Sequence, residues 1–467
     1  MDWKSEINDL YEKVTNKIPE MFRETVKPML REAAEKSARL RNSGFISRDD
    51  LLSALFEITP EAFKPTVVED LKKLGIDADR YIELSEIRKE YMRTWDDIGG
   101  AFLPGVYHFT MYLTDRCNQK CLHCAAESKV NRPELSTEQW VQIIENVEQT
   151  LRKRGRRGCY IWFGGDPTLR KDLKNLIKYC GDKGYYQAIS TNGILFDEDL
   201  AKTCAENKMS HVFISFDTIY PEKAAKIRGV PKAYEAAEKA IKLALKYGHF
   251  VICTATVQKA NFDELEEIKE LLDSWGAIPY FRAVIKQRSA ATNWEEIGLN
   301  DEEYKKFYEF KYNNVVDAIR KGEASSLNKF YTYDMVPFME CPLNDKERTS
   351  LEWGVGCQAC RSVSGIDING DFFPCDYPSQ LTLGNVLNQS FDEIMDSKLF
   401  KDIRDRVRTG KCASCHHLEL CGGGCRVHAE CETGDFFASF PYCWHEMDHE
   451  HEETTATPKE KGITVSK

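Results

Sequence analysis

The sequence predicts an α/β fold in which six βα units share a parallel sheet, set between an all-helical amino-terminal region and a cysteine-rich carboxy-terminal one. Three observations carry this expectation. The hydrophobic period changes near Val106, six β-rich runs each precede a helical pattern, and ten of the seventeen cysteines fall between Cys341 and Cys443. At 467 residues the chain suits about three domains, and a composition 42% hydrophobic and 30% charged belongs to a globular protein with a sizeable core.

Residues 1–100 read as a helical domain. Apolar residues recur at helical spacing in TVKPMLREAAEKSARLRN and RDDLLSALFEI, Asp49 and Asp50 stand at helix-start positions, and Gly44 breaks the preceding segment. Residues 101–322 carry the runs VYHFTMYLT, CYIWF, YQAIST, HVFISFD, FVICTATV and YFRAVI, separated by helical patterns such as TEQWVQIIENVEQTLRKR and AYEAAEKAIKLALKYG. Such units build an open doubly wound sheet or an incomplete barrel, and both place ligands at the carboxyl ends of the strands. DEEYKKFYEFKYNNVVDAIRKG closes this region. Residues 323–445 lose long periodicity and become rich in Cys, Gly and Asp, the composition of a small fold held by metal. Residues 446–467 read as a disordered polar tail, its histidines solvated.

The formal charge of −11 argues against nucleic-acid binding, which needs a basic footprint. No apolar run reaches the ~18 residues of a membrane span, and MDWKSEINDLYEK lacks a signal-peptide core, so a cytoplasmic location is expected. There a disulfide framework is not expected, which leaves the cysteines as ligands, nucleophiles or core fillers.

The first strand runs into LTDRCNQKCLHCAAES, placing Cys117, Cys121 and Cys124 as C-x3-C-x2-C in a loop at its carboxyl end. Structural zinc takes four ligands, and only His123, inside the short gap, stands near enough to complete a set. A [4Fe–4S] cluster on three thiolates leaves one iron open. This loop after the first strand of a (β/α)6 pattern resembles the radical S-adenosylmethionine superfamily. The resemblance implies a partial (β/α)6 TIM-like barrel and an open iron that chelates S-adenosylmethionine. It also implies reductive cleavage to a 5′-deoxyadenosyl radical that abstracts hydrogen from substrate. It assigns cofactor contacts to His123, to Gly164, Gly165, Asp166 and Pro167 in FGGDP, and to Ser190, Thr191 and Asn192 in STNG. Ser215 and Asp217 in SFD and Arg228 in KIRG complete the set. Asp166 replaces the usual Glu and is shorter by one methylene. Each of these residues also has a plain reading as a turn, cap or surface residue.

From Cys360 the chain reads C-x9-G-x4-C to Cys375, then C-x2-C-x5-C-x3-C through Cys412, Cys415, Cys421 and Cys425, and ends at Cys443. These positions resemble the SPASM domain of the same superfamily; taken alone, the C-x2-C pairs also fit a zinc ribbon. The resemblance implies two auxiliary [4Fe–4S] clusters. One falls to Cys412, Cys415, Cys421 and Cys443. The other falls to Cys360, Cys375 and Cys425, with Cys357 as fourth ligand and Cys341 as its rival. Cys431 is spare, and Cys159, Cys180, Cys204 and Cys253 read as buried small hydrophobes. Asp376 follows Cys375 as the proposed catalytic base does in related sulfatase-maturating enzymes; a turn aspartate is the alternative.

The implied substrate is a peptide or protein, oxidised or cross-linked with help from the auxiliary clusters. The alternative is a tetrapyrrole or other small molecule. TVKPMLREAAEKSARLRNSGFISRDDLLSAL favours it through a faint resemblance to the helical module of a light-independent protochlorophyllide reductase subunit. A third reading is a non-catalytic electron carrier or zinc-stabilised scaffold. The run RKRGRR, with Arg152, Lys153, Arg154, Arg156 and Arg157, reads either as a solvated helix end or as a docking patch for a flavodoxin- or ferredoxin-type reductant.

Overall fold

The computed structural model describes residues 2–40, 46–82, 85, 106–126, 132–320, 356–415 and 417–444. Gly44, Cys341, the expected boundaries near residues 100 and 322, and the tail lie outside them.

Helices α1 (Ser5–Thr15), α2 (Glu20–Leu40), α3 (Arg48–Ile58) and α4 (Lys64–Lys73) make up the amino-terminal region. Helix α3 begins at the expected acids. The Ser47 hydroxyl accepts from the Asp50 N–H (3.1 Å), and the Asp50 carboxylate accepts from the Ser47 N–H (2.9 Å), a reciprocal cap that satisfies two backbone donors. The same carboxylate accepts from the Ser37 hydroxyl of α2 (2.8 Å), so one buried acid both starts a helix and joins two. Trp3, Tyr11, Leu30, Leu52, Phe56 and Leu71 form a core of their own.

Six parallel strands follow: β1 (Val106–Tyr112), β2 (Arg157–Phe163), β3 (Tyr186–Thr191), β4 (His211–Ser215), β5 (Val251–Val257) and β6 (Ile278–Ala283). They pair in sequence order, without the reversal that a doubly wound sheet shows, so of the two sequence readings the incomplete barrel is the one adopted. The connecting helices are α5 (Thr137–Lys153), α6 (Leu173–Lys183), α7 (Glu198–Glu206), α8 (Pro221–Arg228), α9 (Ala233–Lys246) and α10 (Leu265–Trp275), and α11 (Asp301–Arg320) follows β6.

Strand periodicity of two divides each strand between two interiors. Tyr107, Phe109 and Met111 of β1 join the core beneath the helices, with Tyr160 and Trp162 of β2. Their neighbours His108, Thr110 and Tyr112, with Ile161 and Phe163, face a central cavity. At the amino end of the strands the lumen is filled by Val106, Cys159, Ile252 and Ile278. Cys159, Cys180, Cys204 and Cys253 are fully buried, as small hydrophobes are.

The carboxy-terminal region departs from expectation. Strand β7 (Val363–Ile366) pairs parallel to β1, from His108↔Val363 to Met111↔Ile366, and β8 (Asp371–Phe373) and β9 (Gly384–Asn385) continue the sheet antiparallel. Phe372 then packs with Phe391 of α12 (Phe391–Asp396) and Phe400 of α13 (Lys398–Arg404) inside the barrel's own core. The region therefore shares a large core instead of depending on metal alone. Strands of four, three and two residues are too short to show a period in sequence.

The basic run at the end of α5 is engaged by the chain itself. Arg154 donates to Asp392 (2.8 Å) and Asp396 (3.0 Å) of α12, Arg152 to Glu148 (3.2 Å), and Arg156 to the Arg361 carbonyl (2.8 Å) with its guanidinium over the Tyr107 ring. It braces the barrel against the carboxy-terminal region. No described helix is long and apolar enough to cross a membrane.

Candidate functional site at the barrel mouth

The segment leaving β1 is fixed before it reaches its first cysteine. The Gly165 N–H donates to the Thr114 carbonyl (2.7 Å) and the Asp166 N–H to the Arg116 carbonyl (2.8 Å). A Cβ on Gly165 would lie 2.2 Å from the Arg116 oxygen, and one on Gly164, at φ +147°, 2.4 Å from the Thr114 oxygen. Only glycine permits this approach. On the far side, the Lys120 and Leu122 N–H groups donate to the Arg228 and Ile227 carbonyls (3.0 and 2.9 Å), where Gly229 at φ +68° ends α8. Arg132 joins Asp115 of this loop to Asp367 of the β7–β8 turn (2.8 and 2.6 Å).

Cys117, Cys121 and Cys124 then line one cavity of about 290 Å³. Donors point at two of the sulfurs. The Gln119 N–H and the Asn192 amide approach Cys117 Sγ at 3.4 and 3.9 Å, and an Arg228 Nη approaches Cys121 Sγ at 3.8 Å. Such donors suit sulfur that carries negative charge, as a cluster ligand does. As free thiols these groups resist ionisation: burial pushes Cys121 up to about 12 and raises Cys117. Among the described residues no three Cys, His, Asp or Glu side chains converge on a single-ion site. A cube takes its thiolates at separate corners, so the shared wall suits it.

The structure brings most of the other expected residues to this cavity. His123, Gly164, Gly165, Ser190, Thr191, Asn192, Ser215 and Arg228 all line it. Burial lowers His123 to about 4, so its ring is neutral at pH 7, and its Nδ1 lies 3.3 Å from the Gln258 amide nitrogen. Asp166, Pro167 and Asp217 are not brought to it. The Asp166 carboxylate, 1% exposed, accepts from the Thr168 N–H (3.0 Å), the Thr191 hydroxyl (2.9 Å) and the Asn192 N–H (2.8 Å), which turns it away from the cavity and clamps the STNG loop. Its short side chain reaches these groups with no methylene to spare. Pro167 opens the following helical turn. Asp217 pairs with Arg228 (2.5 Å) and accepts from the Thr256 N–H (2.9 Å), holding the guanidinium at the cysteine loop.

The carboxy-terminal thiols form two groups. Cys357, Cys360, Cys375 and Cys425 are electrostatic neighbours, and Cys357, Cys375 and Cys425 line the same cavity as the first loop. Cys412, Cys421 and Cys443 neighbour one another, with Cys415 in the adjoining turn. Cys431, on α14 (Arg426–Thr433), is half-buried. Between the groups, Gly422, Gly423 and Gly424 turn with φ of +69°, +73° and +76°, and a Cβ on Gly424 would lie 2.4 Å from that of Phe440. Arg408 donates to the Gly422 and Gly424 carbonyls and to that of Ala438 (2.9 Å). Arg426, 2% exposed, donates to the carbonyls of Val407 (2.9 Å), Ile403 and Phe436 (both 3.3 Å). Neither arginine was singled out from sequence; the run CGGGC, whose backbone leaves carbonyls unpaired, is the signal that could have prompted a search for donors.

Asp376 lines the cavity beside Cys375, whose Sγ lies 3.1 Å from Oδ1. Burial would raise its carboxyl, but Arg282 of β6, at 2.7 Å, outweighs that and holds it below the usual carboxylate range. The Tyr112 hydroxyl donates to its carbonyl (2.7 Å), and the Arg282 guanidinium lies over the Tyr377 ring. Arg282, Tyr112, Tyr377 and Gln258 also escaped sequence reading, because alternation in a strand locates a face without saying which polar residue on it is used.

Residues 111–272 match the family model of the radical SAM superfamily, and residues 357–416 that of SPASM, an iron-sulfur cluster-binding domain. Fe-coproporphyrin III synthase of Methanosarcina barkeri is 28% identical over 352 residues, 71% of this chain and 86% of that protein. Mycofactocin maturase MftC of Mycolicibacterium smegmatis is 27% identical over 339 residues, 71% of this chain and 79% of that protein. Among solved structures, Streptococcus suis SuiB bound to precursor peptide SuiA shares the fold, with a TM-score of 0.53 at 19% identity over 85% of this chain and 93% of that one. The two family matches fall on the two cysteine-bearing regions that the fold turns toward one cavity, and the chain belongs to the radical S-adenosylmethionine superfamily, as an enzyme with a SPASM domain whose cofactors are S-adenosylmethionine and [4Fe–4S] clusters.

Proposed function

We propose that this enzyme oxidises a tetrapyrrole by hydrogen-atom abstraction in the cavity between its two cysteine regions. One observation carries the reading: the three-thiol loop and the inner carboxy-terminal thiols open on the same space. When bound, the cluster and S-adenosylmethionine supply a one-electron cleavage to methionine and a 5′-deoxyadenosyl radical that takes a hydrogen atom from substrate. An auxiliary cluster held by the inner thiols would take the second electron from the substrate and a base its proton, a net two-electron oxidation. A flavodoxin- or ferredoxin-type reductant supplies the electron that enters.

In this reading Cys117, Cys121 and Cys124 hold the cluster that meets S-adenosylmethionine. Gly164, Gly165, Ser190, Thr191, Asn192, Ser215 and Arg228 bind that cofactor, and neutral His123 offers its ring to the adenine. Asp166, Pro167 and Asp217 act one step back: the two acids fix the STNG loop and the Arg228 guanidinium, and the proline fixes the turn between them. Cys357, Cys360, Cys375 and Cys425 hold the inner auxiliary cluster, and Cys412, Cys415, Cys421 and Cys443 the outer one. Asp376, kept ionised by Arg282, stands ready to accept the proton.

The cavity's chemistry favours the substrate class. Three guanidiniums, of Arg228, Arg282 and Arg426, stand on its wall; Asp217 and Asp376 pair with the first two, and Arg426 leaves the wall an excess of positive charge among the described residues, in a chain whose net charge is −11. Phe163, Phe213 and Tyr280 face the same space. A flat apolar ring edged with carboxylates suits such walls, and the similarity to Fe-coproporphyrin III synthase supports it. A peptide side chain is the second reading, favoured by the similarity to mycofactocin maturase.

Anaerobic protein reduced in the presence of S-adenosylmethionine is expected to release 5′-deoxyadenosine, and Cys121→Ala to release none. Nucleoside release unchanged by that substitution would overturn the assignment of the first loop. Addition of a carboxylated porphyrin is expected to increase the release; a peptide that does so where porphyrins do not would select the second reading.

A further inference from the structure

Two histidines occupy the barrel lumen, and the chemistry above makes no use of them. His108 of β1 and His211 of β4 both line the cavity, 8% and 1% exposed. They are electrostatic neighbours across the lumen, and His211 stands edge-on to Phe213, their ring centroids 4.8 Å apart. His108 begins the inward face of β1. Above it on that face come Thr110 and then Tyr112, whose hydroxyl bonds the backbone of Asp376. On its flank His108 pairs with Val363, three residues beyond Cys360, and its N–H donates to the Ser362 carbonyl (2.7 Å). Its ring is therefore carried by two rigid strands at the wall nearest the inner thiol group. Burial holds His211 neutral at pH 7, well below an ordinary histidine.

Imidazole in an aromatic cavity is a borderline nitrogen donor for iron and similar ions, and the usual protein ligand on the axial position of a metallated macrocycle. Of the other lumen-facing groups near it, Thr110, Ile161 and Phe213 offer iron no comparable donor, and His211, 1% exposed against 8% and edge-on to Phe213, is the less accessible of the two imidazoles. We infer that the substrate carries a metal and that His108 is its axial ligand, with His211 and Phe213 packing the far side of the macrocycle's pocket. Such ligation fixes the height and tilt of the ring, and so which of its edge carbons meets the cofactor end of the cavity. This inference rests on the tetrapyrrole reading and names the metallated form as the substrate.

The test is an anaerobic titration of the full-length, cluster-loaded protein with ferric coproporphyrin and, separately, with metal-free coproporphyrin, followed by absorption and EPR. The account expects the ferric form to give a histidine-ligated spectrum. His108→Ala should lose that spectrum and bind the ferric form about tenfold more weakly, and millimolar imidazole should restore the spectrum. Metal-free coproporphyrin should bind wild type and His108→Ala alike. Because a loss in the alanine variant could reflect a disturbed lumen, His108→Gln is the second variant: it should keep metal-free binding and still lose the ligated spectrum. A spectrum unchanged in both variants would overturn the assignment of His108 while leaving the tetrapyrrole reading in place. Failure of both porphyrins to bind wild type would overturn both readings.

Discussion

The barrel mouth and the carboxy-terminal region turn thiols toward one cavity, but they hold them by different means. The barrel suspends Cys117, Cys121 and Cys124 on a loop whose two ends are tied by backbone hydrogen bonds to neighbouring strand ends, above a core of Tyr107, Phe109, Trp140 and Trp162. Its cysteines are guests on a scaffold that regular strands already define. The carboxy-terminal thiols stand on short strands and left-handed glycine turns, where buried arginines satisfy carbonyls that no ladder reaches. Fold and cluster are separable at the mouth and more closely linked in the glycine turns between Cys412 and Cys425, although β7 to β9 share the barrel's sheet and core. Chelation of iron should therefore leave the barrel's melting transition in place while exposing the carboxy-terminal region to protease.

The sharpest way to break this contrast is to remove a carbonyl clamp. Arg426→Ala strips a donor from three carbonyls, of which that of Ile403 keeps the Arg406 N–H, and at about 1 kcal/mol or more for each of the two left orphaned it should cost about 2 kcal/mol or more in denaturant unfolding. Arg426→Lys should recover little, since one nitrogen cannot reach acceptors that Arg426 divides between its two Nη atoms. At the mouth, Gly165→Ala should cost some stability, less than Arg426→Ala, and displace the cysteine loop, since its Cβ would meet the Arg116 oxygen at 2.2 Å. A shift of that size should lower 5′-deoxyadenosine release about a hundredfold. A stability loss equal to that of Arg426→Ala would erase the distinction.

A pH titration separates the regions further. His123 is depressed to about 4 in the folded chain, against about 6.5 unfolded. The unfolded chain takes up its proton first as pH falls, so stability should drop from pH 6.5 toward pH 4, by up to about 2 kcal/mol at pH 5, and level off below. His123→Gln should remove that part of the profile. Smallest of all, Arg154→Ala cuts an exposed brace to Asp392 and Asp396 and should cost no more than about 1 kcal/mol.

Much of the barrel was legible in the sequence. Parallel strands buried on both faces leave unbroken β-rich runs, and all six emerge where VYHFTMYLT, CYIWF and their successors stand. The three-thiol loop and its neighbouring glycines were legible because spacing along the chain maps directly onto one strand end. Direction was not. Asp166 was read as a ligand contact, yet a carboxylate one methylene short settles on the nearest donors, Thr168, Thr191 and Asn192. Arg154 read as a solvated cation, with a docking patch as the alternative, because its partners on α12 lie more than 230 residues away. Strands β7 to β9 were invisible for their brevity. Cys357 lies beside Cys360 and Cys375, while Cys341, its rival as the fourth ligand that the resemblance implies, lies outside the described residues.

The central claim, that both cysteine regions serve one cavity, is tested most directly by comparing nucleoside release with substrate oxidation in Cys375→Ala. The account predicts uncoupling: 5′-deoxyadenosine still forms in the presence of a carboxylated porphyrin, while oxidised product disappears. Oxidised product formed in the wild-type ratio to nucleoside would contradict it.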